Sequence, residues 1–140
     1  MFIECVLLSA SLCHAVKDPP VVALAVTQTA IVVANTVTKY EMQQVYPLGV
    51  WQETNPVVHT LMGPRPQVRS MIAWGSVEVG LTMYLGERMK RSHSWIRHIW
   101  WAPQLIAIAG HSYGIRMDVL GIRAGMRSLR ATYTAAYTYP

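Results

Sequence analysis

Three apolar stretches, Val21–Thr38, Met71–Gly86 and Trp95–Gly110, dominate the pattern of hydrophobic and polar positions along this chain. Each is nearly long enough to cross a bilayer, and each carries polar side chains that a lipid-facing helix avoids. Val21–Thr38 covers about 27 Å at 1.5 Å per residue, against a hydrocarbon core of about 30 Å. Its Val and Ile content suits a strand, but it is far too long for one. The pattern therefore predicts an all-α integral membrane bundle of three spans within residues 17–114.

Punctuation between the stretches supports that division. Lys17-Asp18-Pro19-Pro20 breaks the chain before the first span. The loop Lys39–Gln67 is rich in Pro and Gly, and within it Pro56–Met62 reads as two turns of helix. Asn55 would cap that helix and Gly63-Pro64 would end it. Arg88–His93 is a tight basic turn before the third span, which runs to Tyr113. Trp95, Trp100 and Trp101 crowd its start as an interfacial belt, and Pro103 is expected to kink it one turn in.

After Gly114 the register changes. Arg116, Arg123, Arg127 and Arg130 fall within about 60° on a helical wheel, beside an apolar stripe of Ile115, Val119, Ile122, Met126 and Leu129. Residues 115–140 thus read as a separate C-terminal amphipathic helix, its arginines reaching lipid headgroups, and a disordered tail from Ala131. At the other end, Phe2–Val16 fits either a signal-peptide core cleaved near Ala15 or a short fourth helix. Cleavage would remove Cys5 and Cys13, the two cysteines of the chain.

Composition favours lipid over water. Charged residues make up 14% of the 140 residues, against about 25% in an ordinary soluble domain, and apolar residues 52%. Net charge is +5, but the basic residues flank the apolar stretches instead of forming one patch. That is how topology signals are arranged, and no nucleic-acid motif accompanies them.

The polar residues inside the spans are the candidate chemistry. Gln28 and Asn35 are seven apart on the first span, and Gln104 and His111 are seven apart on the third. Glu78 lies near the middle of the second, where an unpaired carboxylate costs at least about 2.5–3.5 kcal/mol. It must therefore face the other helices, with Gln104 and Gln28 as its expected partners. Alternating spans also bring Asn35, His111 and the Glu53–Asn55 loop to one membrane face, with Glu78 beneath. Such groups either hydrogen-bond across helices and set the packing, or form a functional cluster. His93 and His98 lack the spacing of a helical metal pair, and neither Ser94 nor Ser112 has the setting of a nucleophile elbow. No catalytic, cofactor or metal site is expected.

Several of these elements together resemble a family. A polar first span ending near Asn35-Thr36, then Glu53-Thr54-Asn55-Pro56, then Trp100-Trp101-Ala102-Pro103-Gln104 and His111, is similar to small bacterial membrane proteins of unknown function with an E-x-N-P loop. The likeness covers roughly Val21 to Asp118. It departs where Asn35 stands in place of a common acid and Ser112 in place of a frequent Asn. The resemblance implies a multi-pass bundle of the bacterial inner membrane and no particular activity.

The function expected from all this is a non-enzymatic scaffold or accessory subunit, with membrane lipids and a protein partner or a second copy as its contacts. The alternative is a small carrier or intramembrane enzyme using Glu78, His111, Asn35 and the Glu53–Asn55 loop. Seven of the 12 basic residues fall on the side of the C-terminus and five on the other, which leaves orientation open. A basic tail on an anionic cytoplasmic leaflet is the favoured arrangement.

Overall fold

The computed structural model describes residues 18–46, 52, 53 and 55–138. Among these the chain is all helical: α1 (Pro19–Val45), α2 (Pro56–Met62), α3 (Val68–Lys90), a 3₁₀ helix (Trp95–Ile99) and α4 (Ala102–Thr138). The possible signal peptide, both cysteines and the loop around Pro47 lie outside the described residues.

α1 opens on two prolines, whose missing N–H groups are among those a first turn leaves unpaired anyway. At its far end the orphaned carbonyls are taken up by a strap. Arg65 Nη2 donates to Gln43 O at 3.1 Å and to Tyr46 O at 3.0 Å, and Gln43 Nε2 donates to Pro66 O at 3.0 Å. α2 forms as the sequence predicts. Asn55 Oδ1 accepts from Val57 N at 3.0 Å and Val58 N at 3.4 Å, and Gly63, at φ 83°, turns the chain out of the helix.

The long helices run up, down and up. Val32 meets Gly75 and Gln28 meets Thr82, so α3 descends beside α1. Asn35 then meets Gly114, Lys39 meets Asp118, Met42 meets Gly121, and Val45 and Tyr46 meet Gly125, so α4 is parallel to α1. The inward positions recur every three or four residues: Val21, Ala25, Gln28, Val32, Asn35 and Met42 on α1, and Met71, Gly75, Val79, Met83 and Gly86 on α3. That spacing is the knobs-into-holes seam of left-handed bundles.

What lies on the seam is unusual. Gln28 and Gln104 are completely buried, and Asn35, Thr36, Glu53 and Asp118 are buried too. Large apolar residues meanwhile face outward: Val26 and Val77 are each 58% exposed, Leu81 55% and Ile106 73%. α1 is long and apolar enough to cross a membrane, and only 28% of its most apolar 18-residue window is covered by the rest of the fold. No other helix among the described residues meets that measure of length and composition. Glu78, Trp74 and Tyr84 dilute α3, and its serines and glycines add little apolar weight.

Three expectations are corrected. Pro103 kinks nothing: Trp95–Ile99 is a separate 3₁₀ turn, α4 starts at Ala102, and Pro103 occupies its first turn. The boundary at Gly114 is absent, because α4 continues unbroken through it. The tail from Ala131 is not irregular, since the helix reaches Thr138. Glycines at 121 and 125 weaken an isolated helix by about 1 kcal/mol each relative to Ala. Here they admit Met42, Val45 and Tyr46 of α1, and Tyr46 Oη donates to Gly121 O at 2.9 Å. Packing outweighs propensity.

Candidate functional site: a layered polar seam

The buried polar groups form successive layers, set by seven-residue spacings on α1 and α4. Nearest the α1 C-terminus, Lys39 Nζ contacts Glu53 Oε2 at 2.6 Å and Asp118 Oδ2 at 3.8 Å. Thr38 Oγ1 lies 3.5 Å from Asp118 Oδ2. The loop fixes Glu53 from both sides. Its own N–H donates to Pro64 O at 2.8 Å, and its Oε1 accepts from Asn55 N at 3.0 Å. Two carboxylates thus share one ammonium.

One layer deeper is a three-residue chain contributed by three helices. His111 Nε2 lies 3.0 Å from Glu78 Oε2 and 3.2 Å from Oε1, and its Nδ1 lies 2.8 Å from Asn35 Nδ2. With the Asn35 amide donating to Nδ1, the ring proton sits on Nε2 and points at the carboxylate. The pair is not sealed: the His111 side chain is 21% exposed and that of Glu78 26%.

Two further layers complete the seam. Thr82 Oγ1 is 2.8 Å from Gln28 Oε1 and 2.9 Å from Glu78 O, which ties this layer to the one above. Gln104 Nε2 donates to Val21 O at 3.2 Å. Beyond it the bundle ends in ion pairs: Lys90 to Asp18 at 2.5 Å, with Lys90 also 5.0 Å above the Trp100 ring, and Arg91 to Glu87.

Four buried side-chain atoms among the described residues keep no hydrogen bond: Gln28 Nε2, Asn35 Oδ1 and Gln104 Oε1 on the seam, and Arg65 Nη1 in the strap. Two of them abut glycines. A Cβ on Gly114 would stand 3.1 Å from Asn35 Oδ1, and one on Gly86 would stand 3.4 Å from Gln104 Oε1. Close backbone approach of this kind allows weak Cα–H···O contact in place of a full hydrogen bond.

The predicted site residues thus divide. Asn35, His111 and Glu78 do come together. Glu53 and Asn55 do not join them; they belong to the Lys39 layer and to the α2 cap. Gln28 and Gln104 are not the partners of Glu78, and bind Thr82 and the Val21 carbonyl instead. Arg116, Arg123, Arg127 and Arg130 lie exposed on α4, with Arg127 Nε donating to Arg123 O at 3.3 Å. Sequence reasoning missed Lys39, Thr38, Thr82 and Asp118. The heptad Gln104, His111, Asp118, Gly125 carried the signal for Asp118, but it crosses the point where α4 was expected to break.

Among the described residues no three His, Cys, Asp or Glu side chains converge where they could hold a metal ion. Compared with known proteins, the chain matches no family model, no curated protein and no solved structure.

Proposed function

We propose that this chain is a small multi-pass protein of the bacterial inner membrane, akin to the E-x-N-P proteins it resembles. In this reading it crosses the bilayer three times, through α1, α3 and the first half of α4, and serves as a non-enzymatic scaffold or accessory subunit. The observation that carries the reading is a mixed interior beneath an apolar exterior: two glutamines, an asparagine and two carboxylates are buried among Val, Ala and Met, while Val, Leu, Ile and Trp face outward. In water the outward side chains would forfeit about 25 cal/mol per Å² of apolar surface. In lipid the same arrangement is favourable, because the polar groups must find partners within the bundle. The exposed arginines at the end of α4 suit an anionic headgroup layer.

Support for a partner comes from the outer face of α4. Gly110 has open space around it, between Ile106 and Tyr113, both well exposed. A small residue on an apolar face is a notch for another helix. Alkaline carbonate extraction tests the membrane assignment, and release of the protein into the supernatant would sink it. Crosslinking in native membranes tests the subunit role, which recovery of monomer alone would overturn.

The Glu78–His111–Asn35 chain favours a second reading, a small carrier working at this polar layer. Ionisable residues within membrane bundles commonly serve such pathways. Under that reading Glu78→Gln and His111→Ala abolish a deletion phenotype while folded protein levels stay unchanged. Loss of the protein in both variants would instead assign the cluster to packing.

A further inference from the structure

We propose that His111, held between Glu78 and Asn35, is the binding site of one exchangeable proton, and that the Asn35 amide turns over to serve both protonation states. The proposal rests on the carrier reading and names what is carried or sensed.

The argument is one of hydrogen-bond matching. In the arrangement observed, Nε2–H donates to the Glu78 carboxylate and the Nδ1 lone pair accepts from Asn35 Nδ2 at 2.8 Å. On the ring, an incoming proton can bond only to that Nδ1 lone pair. Once it does, both ring nitrogens are donors, and Asn35 must offer an acceptor in place of a donor. The acceptor is at hand. Asn35 Oδ1 is buried and hydrogen-bonded to nothing. A half-turn about Cβ–Cγ exchanges it with Nδ2, because the two ends of an amide have nearly the same shape.

Gly114 makes that turn possible. A Cβ there would stand 3.1 Å from Oδ1, tighter than ordinary contact, and 3.6 Å from Nδ2, so any other residue would press on the rotating amide. The reaction is a single proton transfer: imidazole takes the proton on Nδ1, and Glu78 remains a carboxylate throughout.

Charged groups reach this layer from each element packed around it. Glu78 is in contact from α3, and at the rim stand Lys39 of α1, Asp118 of α4 and Glu53 of the loop. Asp118 is two turns along α4 from His111, about 10 Å at 1.5 Å per residue.

The test is side-chain nitrogen NMR on the full chain in lipid bilayers, from about pH 4 to about pH 9. The expected result is passage of the His111 ring from the Nε2–H form to imidazolium, with the Asn35 side-chain amide signals changing at the same midpoint. In Gly114→Ala the ring still takes up its proton, but the Asn35 response is lost. Asn35→Leu serves as a second variant, in which ring titration persists with no amide partner to follow it. A ring that keeps one protonation form over the whole range overturns the proposal. So does a proton that lands on the Glu78 carboxyl, read from its carbon signal, and so does an Asn35 amide indifferent to pH. A non-titrating ring alongside intact Glu78→Gln and His111→Ala phenotypes would leave the carrier standing and remove only the proton. A titrating ring without those phenotypes would do the reverse.

Discussion

Substituting Gly75 by Ala probes a close approach of α3 to α1 at Val32. An added Cβ would stand 2.3 Å from Val32 Cγ1, and 3.7 and 3.9 Å from its Cβ and Cγ2. Carbon atoms pack at about 3.5–4.0 Å, so the helices must separate by about 1 Å or Val32 must change rotamer. Val32 is buried, and a β-branched side chain in a helix has essentially one rotamer available. Overpacking of this kind costs about 1–3 kcal/mol. Replacing a helical glycine by alanine returns about 1 kcal/mol. The net loss is therefore about 0–2 kcal/mol. Gly110→Ala supplies the reference, because nothing lies within 4 Å of its added Cβ and only the helical gain applies. The two variants should differ by about 1–3 kcal/mol in reversible unfolding from mixed micelles. Adding Val32→Ala to Gly75→Ala removes the obstructing methyl, so a double-mutant cycle should return a coupling of similar size. If Gly75→Ala proves as stable as Gly110→Ala, or the coupling falls within about 0.5 kcal/mol of zero, the packing described for α1 and α3 is wrong.

The remaining predictions concern the polar layers and the α2 cap. Lys39→Met leaves two buried carboxylates without their ammonium and should destabilise the fold by about 3–5 kcal/mol, with partial recovery on adding Glu53→Gln; chemical unfolding of the pair measures both. Asn55→Ala should cost about 0.5–2 kcal/mol locally, seen as faster hydrogen exchange at the Val57 and Val58 amides with the rest of the chain unaffected.

Much of the architecture can be read from residue order. An all-helical chain, the length of α1 and the Asn55 cap follow from periodicity and from local turn chemistry. The meeting of Asn35 with His111 follows from alternating helix direction. What eluded the sequence was vertical register. Whether Glu78 meets Gln104 or His111 depends on where α4 begins, and Pro103 is compatible with either a kink or a first turn. The Lys39 layer eluded it for a different reason. Lys39 resembles a topology signal and Asp118 a member of an amphipathic tail until α4 is known to run straight past Gly114. The glycines misled in the same way, since their cost to a lone helix is local while their benefit is a contact with α1.

Among the described helices only α1 is long and apolar enough to cross a bilayer. On the three-span proposal, α3 and α4 would enter with Glu78, Gln104 and His111 still seeking mates, and neither segment would be favoured there alone. Their insertion would then be inseparable from docking against α1, which offers Asn35 to His111 and Gln28 to Thr82. Damage to the α1 seam would accordingly register first at biogenesis, as later segments slipping back toward the aqueous phase and meeting quality-control proteases.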